Sequence, residues 1–173
     1  MRILLLSTHT MTAINPRVQR HIQSLEISCT IRYHRDFPSD IRTPADFADA
    51  LGYQLSRVTK SVFCRSQSKA SYAVLVGPMD QRIDFKQAAQ ALDAGRLEVA
   101  SPEELEQIVG YPRHGVSPFG LDSAISVVVA RELLSHESVL VGAGAVGVEI
   151  EVSPLELVRA TNALVESIAK QDE

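Results

Sequence analysis

Cysteine is scarce: the 173-residue chain holds two, Cys29 and Cys64. Two thiols cannot build the disulfide framework of a small secreted domain, and neither has a ligand partner at zinc spacing, so the pattern suits a reducing compartment such as the cytoplasm. Long hydrophobic runs are missing too. The chain starts like a signal peptide, but the apolar stretch Ile3-Leu4-Leu5-Leu6 ends at Ser7. That is short of the ~7 residues a secretory core needs and the ~18 of a membrane span, so no membrane partner is expected. Positive charge is not in excess: 17 Lys and Arg face 21 Asp and Glu, a net −4, which excludes a general nucleic-acid coat protein. The five histidines, His9, His21, His34, His114 and His136, never fall at H-x-x-x-H or H-E-x-x-H spacing. No metal site and no cofactor are therefore expected. A G-x-S-x-G nucleophile elbow is also absent, and Ser117, in a loop built like a site, has no nameable His or Asp partner.

The residues that are present describe an ordinary globular domain. Hydrophobic residues make up 45% and charged residues 22%, which excludes disordered, collagen-like and coiled-coil chains. At roughly 150 residues per domain, the length allows one domain with a short appendage. Residues 1–14 are read as an N-terminal extension open to disorder, and residues 15–168 as the domain.

Three segments repeat one helix-starting chemistry. Thr43-Pro44-Ala45-Asp46, Ser101-Pro102-Glu103-Glu104 and Ser153-Pro154-Leu155-Glu156 each offer a capping hydroxyl, a proline with no N–H to lose, and an acid that complements the positive helix end. Asn15-Pro16 is a weaker fourth start. Helices are expected at about 16–26, 44–51, 85–93, 102–109 and 154–168, with Gly52, Gly95 and Gly110 as left-handed caps on the middle three. Between them lie strand-length runs rich in β-branched residues: 29–33, 58–64, 72–76, 97–99, 125–129, 139–141 and 148–152. Helices and strands interleave without the regular spacing of repeated βαβ units. The expected fold is therefore a single mixed α/β (α+β) domain, a mixed sheet of about six or seven strands with helices packed on it.

Charge is uneven along the chain. Residues 1–69 carry a net +5 and residues 70–173 a net −9. A basic half can be a footprint for phosphates, although sequence halves need not map onto surface faces.

Three segments could carry chemistry. In Val58-Thr59-Lys60-Ser61-Val62-Phe63-Cys64, strand alternation puts Lys60 on the same face as Val58, Val62 and Cys64. If that face points inward, the ammonium must meet an anion or lose its proton. If it points outward near a strand end, the stem snorkels to water. The residues alone leave both readings open. In Gly110–Gly120, three glycines and two prolines make a constrained loop able to present backbone N–H groups to a carboxyl or carbonyl oxygen, or to serve as a rigid connector. Gly142-Ala143-Gly144-Ala145-Val146-Gly147 matches G-x-G-x-x-G, but Val148–Val152 alternates like a strand, so no helix N-terminus would face a pyrophosphate. A tight turn between strands remains, with Glu149 just beyond it.

Taken in order, these segments resemble the YbaK/EbsC family of prolyl-tRNA synthetase-associated editing domains. The matching elements are Val58-Thr59-Lys60-Ser61-Val62, Gln81-Arg82-Ile83-Asp84-Phe85-Lys86, Ala100-Ser101-Pro102-Glu103-Glu104, Gly115-Val116-Ser117-Pro118-Phe119-Gly120, and the glycine turn before a strand at 142–150. The similarity runs from about residue 15 to 165. It implies the editing-domain fold and a freestanding, metal-free aminoacyl-tRNA deacylase acting on the 3′ acceptor end of tRNA. The esterified amino acid would be alanine, cysteine or a similar small residue, on tRNA(Pro), with prolyl-tRNA synthetase as an associated partner. The alternative is a non-catalytic module that binds tRNA or the synthetase on the same fold. The family's essential lysine falls on Lys60. Its substrate loop falls on Gly115, Val116, Ser117, Pro118, Phe119 and Gly120, and its acidic residue on Glu149, where relatives have Asp. A family tyrosine falls in the Tyr33-His34 neighbourhood, which puts His34 among the substrate-binding candidates, and the glycine turn adds Gly144. The oligomeric state is left open, a monomer being compatible.

Overall fold

A computed structural model describes residues 13–171, so residues 1–12, which hold most of the expected N-terminal extension, lie outside the described residues. Among the described residues, ten strands and five α-helices follow in chain order. They are α1 (Pro16–Ser24), β1 (Cys29–Tyr33), α2 (Pro44–Leu51), β2 (Thr59–Ser66), β3 (Tyr72–Pro78), β4 (Arg82–Ile83), α3 (Phe85–Leu92) and β5 (Leu97–Val99). The second half holds α4 (Pro102–Ile108), β6 (Ser126–Ala130), β7 (Val139–Gly142), β8 (Val148–Val152), α5 (Pro154–Thr161), β9 (Leu164–Glu166) and β10 (Ala169–Lys170).

The helix starts follow the cap chemistry. Thr43 and Ser101 each form a reciprocal capping box, with Asp46 and Glu104 respectively. Ser153 accepts the N–H of Glu156, and Asn15 accepts that of Arg17. Such caps satisfy N–H groups that the first helical turn leaves unpaired.

The expected single sheet is instead divided. Five strands form one mixed sheet in the order β5-β2-β3-β6-β9, three form an antiparallel sheet in the order β1-β8-β7, and β10 pairs with β4. In the larger sheet β2 runs antiparallel to β3 and β5, while β6 runs parallel to β3 and β9. The division follows from β7 and β8. Their connection is a tight glycine turn, so β8 folds back on β7 and then takes β1 as its other neighbour. The bridge Val58–Leu140 and the bond from Thr59 Oγ1 to the Leu140 carbonyl join the β2 end of the large sheet to β7. Central strands β3 and β6 are buried along nearly their whole length, as the near-continuous valines Val74, Val76 and Val127–Val129 require.

Two expectations about helix ends fail. The helix expected over 154–168 stops at Thr161, because Asn162 adopts the left-handed conformation (φ 50°) and Leu164–Glu166 pairs in parallel with β6. Asparagine tolerates that conformation better than other non-glycine residues, and it ends a helix as glycine would. Likewise α3 is capped by Asp93 (φ 50°), two residues before the expected Gly95. Gly52 does cap α2 in the left-handed conformation. The folded chain continues past residue 168 into β10, whose Lys170 ammonium lies 2.8 Å from the Asp84 carboxylate.

Candidate active site

Where the two main sheets meet, a cleft of about 340 Å³ opens. Its walls come from six separate segments: the start of β2, the turn after β3, the first turns of α2 with the residues before them, the 3-10 turn His34–Asp36 after β1, the β7–β8 turn, and the loop before β6. Lys60, His34 and Glu149, picked from the sequence, all line it, as does Val116.

Lys60 is half-buried, opposite Gly77 on β3, and its Nζ donates a hydrogen bond to the carbonyl of Gln81 in the turn after β3. The ammonium therefore sits at the cleft edge. Neighbouring Ser61 also lines the cleft, and its buried hydroxyl oxygen has no hydrogen-bond partner among the described residues.

The acid on β8 is set apart by its surroundings. Glu149 and Glu151 share one face of the strand, since Val148, Ile150 and Val152 fill the buried face. Burial pulls the Glu151 carboxyl upward. Hydrogen bonds from Tyr53 and Arg32, the Arg32 charge, and a hydrogen bond from Ser138 outweigh it, so Glu151 stays below its usual range. Glu149 has no such set. Burial pushes its carboxyl above the usual range, and His34 only partly opposes this. His34 Nε2 lies 3.7 Å from Glu149 Oε1, too long for a hydrogen bond, and like Ser61 Oγ it is a buried polar atom without a partner. The imidazole packs on the Phe47 ring, 4.6 Å between centroids, and the backbone N–H of His34 bonds the Gly147 carbonyl. Two carboxyls on one strand with opposite shifts are a frequent mark of a site.

The loop Gly115–Gly120 does not present itself to the cleft as one unit. Gly115 is buried against the backbone of Ala145, and Val116 forms cleft wall. From Ser117 the chain turns into the core: Ser117 and Phe119 are fully buried. The Phe119 amide bonds Ser117 Oγ (3.2 Å), the Gly120 amide bonds His21 Nδ1 (2.6 Å), and the Gly115 amide bonds the Pro112 carbonyl. Among the described residues no hydrogen bond uses the Val116 amide. Pro118 faces a different groove, beside His21. Gly144 is likewise not at the cleft. It is left-handed (φ 74°) and packed under Asn15, whose side-chain N–H bonds its carbonyl.

Further residues line the cleft that the sequence did not single out as site residues: Thr43, read there only as a helix cap, and Phe47, Met79, Arg113 and His114. Gly142 is the most constrained of them. A Cβ there would stand 2.1 Å from the Val116 carbonyl oxygen, so only glycine lets β7 press against that wall. The strand after Gly147 excludes a dinucleotide-binding helix. Among the described residues no cluster of three or more metal-binding side chains occurs.

Comparison with known proteins identifies the family. The model of the aminoacyl-tRNA editing domain matches residues 38–160. The chain is 28% identical over 130 residues to the "Putative Cys-tRNA(Pro)/Cys-tRNA(Cys) deacylase EbsC" of Enterococcus faecalis, covering 75% of this chain and 79% of that protein. It is 30% identical over 97 residues to a proline–tRNA ligase of Lactobacillus delbrueckii, 56% of this chain and 17% of the ligase. A crystal structure of a hypothetical protein superposes with a TM-score of 0.78 at 28% identity, over 89% of this chain and 99% of the other. With 38–160 accounting for most of the chain and the whole cleft except His34 inside that range, this protein belongs to the aminoacyl-tRNA editing domain family.

Proposed function

We propose that this protein hydrolyses the ester joining a wrongly attached amino acid to the 3′ end of a tRNA. The esterified residue is a small one such as alanine or cysteine, the carrier is tRNA(Pro), and the errors corrected are those of prolyl-tRNA synthetase. The relative named for Cys-tRNA(Pro) and Cys-tRNA(Cys) deacylation supports the substrate class. The observation that carries the reading is that one cleft brings together a lysine ammonium, a carboxyl with raised proton affinity, a histidine with a buried nitrogen lacking a hydrogen bond, and Val116, whose amide makes no hydrogen bond among the described residues.

The chemistry asks little of such a site. An ester needs no metal to be cleaved by water, provided the carbonyl is polarised and the water is held against it. The Val116 amide is the loop donor placed to stabilise the tetrahedral oxyanion, a contribution of about 2.7–4 kcal/mol per donor in measured cases. Lys60 adds positive charge for the oxyanion or the adjoining phosphate. Ionised Glu149, beside His34, holds the α-ammonium of the amino acid, and His34 Nε2 is the group left to hold or move a proton. The basic rim residues Arg42 and Arg113 face the polyanionic RNA end. The work so defined belongs with translation in the cytoplasm.

The test is a panel of tRNAs charged with alanine, cysteine, serine or proline, incubated with the purified protein. Faster loss of alanine or cysteine than in buffer, on tRNA(Pro), is expected. If no charged tRNA loses its amino acid faster than in buffer, the enzyme reading falls, and salt-sensitive tRNA binding without turnover would make the chain a binding module.

A further inference from the structure

Helix α1 lies outside the segment 38–160 that matches the family model, yet it bonds two of the segments that wall the cleft, the β7–β8 turn and the loop before β6. At its N-terminus the Asn15 amide bonds the Ala143 carbonyl and its side chain bonds the Gly144 carbonyl, tying down the β7–β8 turn. One turn on, the Arg17 guanidinium bonds the Val109 carbonyl at the end of α4. At the next turn His21 Nδ1 accepts the Gly120 N–H at 2.6 Å, and the imidazole meets the Phe119 ring edge-on at 5.8 Å. The Ala160 carbonyl of α5 is a hydrogen-bond partner of the same imidazole. With Nδ1 accepting, the ring is neutral and its proton sits on Nε2, the tautomer that this second contact requires. The loop has no slack beyond His21. Tyr111 OH bonds the Phe119 carbonyl at 2.6 Å, and a Cβ on Gly120 would lie 2.6 Å from that hydroxyl.

We infer that His21 is a positioning residue for the deacylation reaction: by accepting the Gly120 N–H it clamps the 115–120 loop and so sets where the Val116 amide stands at the cleft. The inference rests on the proposed function for its catalytic consequence, but the clamp itself is readable without turnover. The loop is anchored at one end through Gly142 against Val116 and at the other through His21 against Gly120. Releasing the far anchor lets the Val116 peptide drift, and a shift of about 1 Å in a reacting geometry can cost on the order of 100-fold in rate.

Two substitutions separate the clamp from general packing. His21→Phe keeps a ring against Phe119 but removes the acceptor. His21→Asn loses the contact to Ala160 but places Oδ1 where Nδ1 stood. In His21→Phe the Gly120 amide is expected to exchange with solvent at least tenfold faster, and kcat to fall about tenfold or more with KM changed less than twofold. In His21→Asn both are expected to return to within about threefold of the parent protein.

The pH profile is a third reading. Burial holds the His21 imidazole below its ordinary 6.5, against the opposing pull of the Ala160 carbonyl. The neutral clamp is thus intact at neutral pH and is lost as the pH falls through that lowered value, where a protonated Nδ1 can no longer accept. The charged groups on the elements around the ring are Arg17 and Arg20 on α1, Asp122 in the loop, and the Glu156–Arg159 pair on α5. His21→Asn keeps all of these and the Glu149 carboxyl, whose protonation lowers activity in both proteins, so the ratio of its activity to the parent's is expected to rise as the pH falls. Unchanged Gly120 exchange and unchanged kcat in His21→Phe would overturn the inference. So would a folded His21→Asn as impaired as His21→Phe, which also decides the matter should the phenylalanine variant fail to fold. If the parent protein cleaves no charged tRNA, the proposed function fails, while the Gly120 exchange rates still decide whether His21 holds the loop.

Discussion

Replacing Gly142 by alanine tests the architecture of the cleft wall with a single methyl group. The backbone at Gly142 is not left-handed, so alanine meets no torsional penalty there and the whole effect is steric. The added Cβ would stand 2.1 Å from the Val116 carbonyl oxygen and 3.0 Å from its carbon, against an ordinary contact of 3.4 Å or more. Both atoms are backbone, so no side chain can swing away, and in an interior packed to crystal-like density the Val116 peptide must retreat by about 1 Å. Overpacking of this kind costs about 1–3 kcal/mol. For a domain of this length each kcal/mol lowers Tm by about 2–4 °C, so a fall of roughly 2–12 °C is expected. Activity is expected to fall further than stability predicts, by about 100-fold in kcat, since moving the Val116 carbonyl also shifts that residue's own amide, the group proposed to polarise the ester carbonyl. The assay is deacylation of a mischarged tRNA at a temperature well below the variant's melting point, alongside thermal denaturation. Gly95→Ala is the control: Gly95 is left-handed (φ 65°) with no atom within 4 Å of its would-be Cβ, and it lies away from the cleft. That variant should lose about 1–2 kcal/mol of stability through backbone strain alone and keep its kcat. A Gly142→Ala protein with the parent's melting point and rate would refute the contact and the role given to Val116.

Lys60→Ala should abolish deacylation while moving Tm by no more than about 2 °C, because the ammonium is only half-buried; full retained activity would remove Lys60 from the mechanism. Glu149→Gln should stabilise the fold at neutral pH and impair turnover. The Glu149 carboxyl is pushed above its ordinary 4.5 by burial, so its ionised form costs stability above the folded-state pKa and costs nothing below the unfolded one. The gain in Tm should therefore vanish as the pH is lowered through and below 4.5, and a variant less stable than the parent at pH 7 would contradict the assignment. Asn162→Val should be about 1–2 kcal/mol less stable than Asn162→Gly by chemical denaturation, since a side chain at φ 50° is strained and glycine is not; equal stabilities would mean that the left-handed residue does not end α5.

Local chemistry was strong enough to be read directly wherever a single residue pair decides the outcome. Thr43 with Asp46 and Ser101 with Glu104 cap their helices because hydroxyl, proline and acid act within one turn. Strands 29–33, 97–99 and 148–152 stand at their expected bounds because period-two patterns reflect faces that a sheet buries. Lys60, His34 and Glu149 were legible through resemblance to an ordered set of motifs, and the cleft unites them. The boundary at Asn162 was not legible, because the apolar pattern of 154–168 fits a helix as well as a helix followed by a strand, and only pairing with β6 selects the latter.

The amino-acid order by itself determined a mixed α/β chain, its helix caps and most of its strands, since these rest on neighbours within a few residues. The tertiary structure alone decided that ten strands divide into three sheets, and that the conspicuous loop turns Ser117–Gly120 inward and gives the cleft only its leading edge. It alone also decided that Gly142, rather than Gly144, lines the cleft and presses against Val116. Each of those outcomes is a contact between segments far apart in sequence: Gly142 against Val116, Asn15 under Gly144, His21 on Gly120. Such contacts arise from close packing of distant backbone, which leaves no periodicity or spacing in the chain to read.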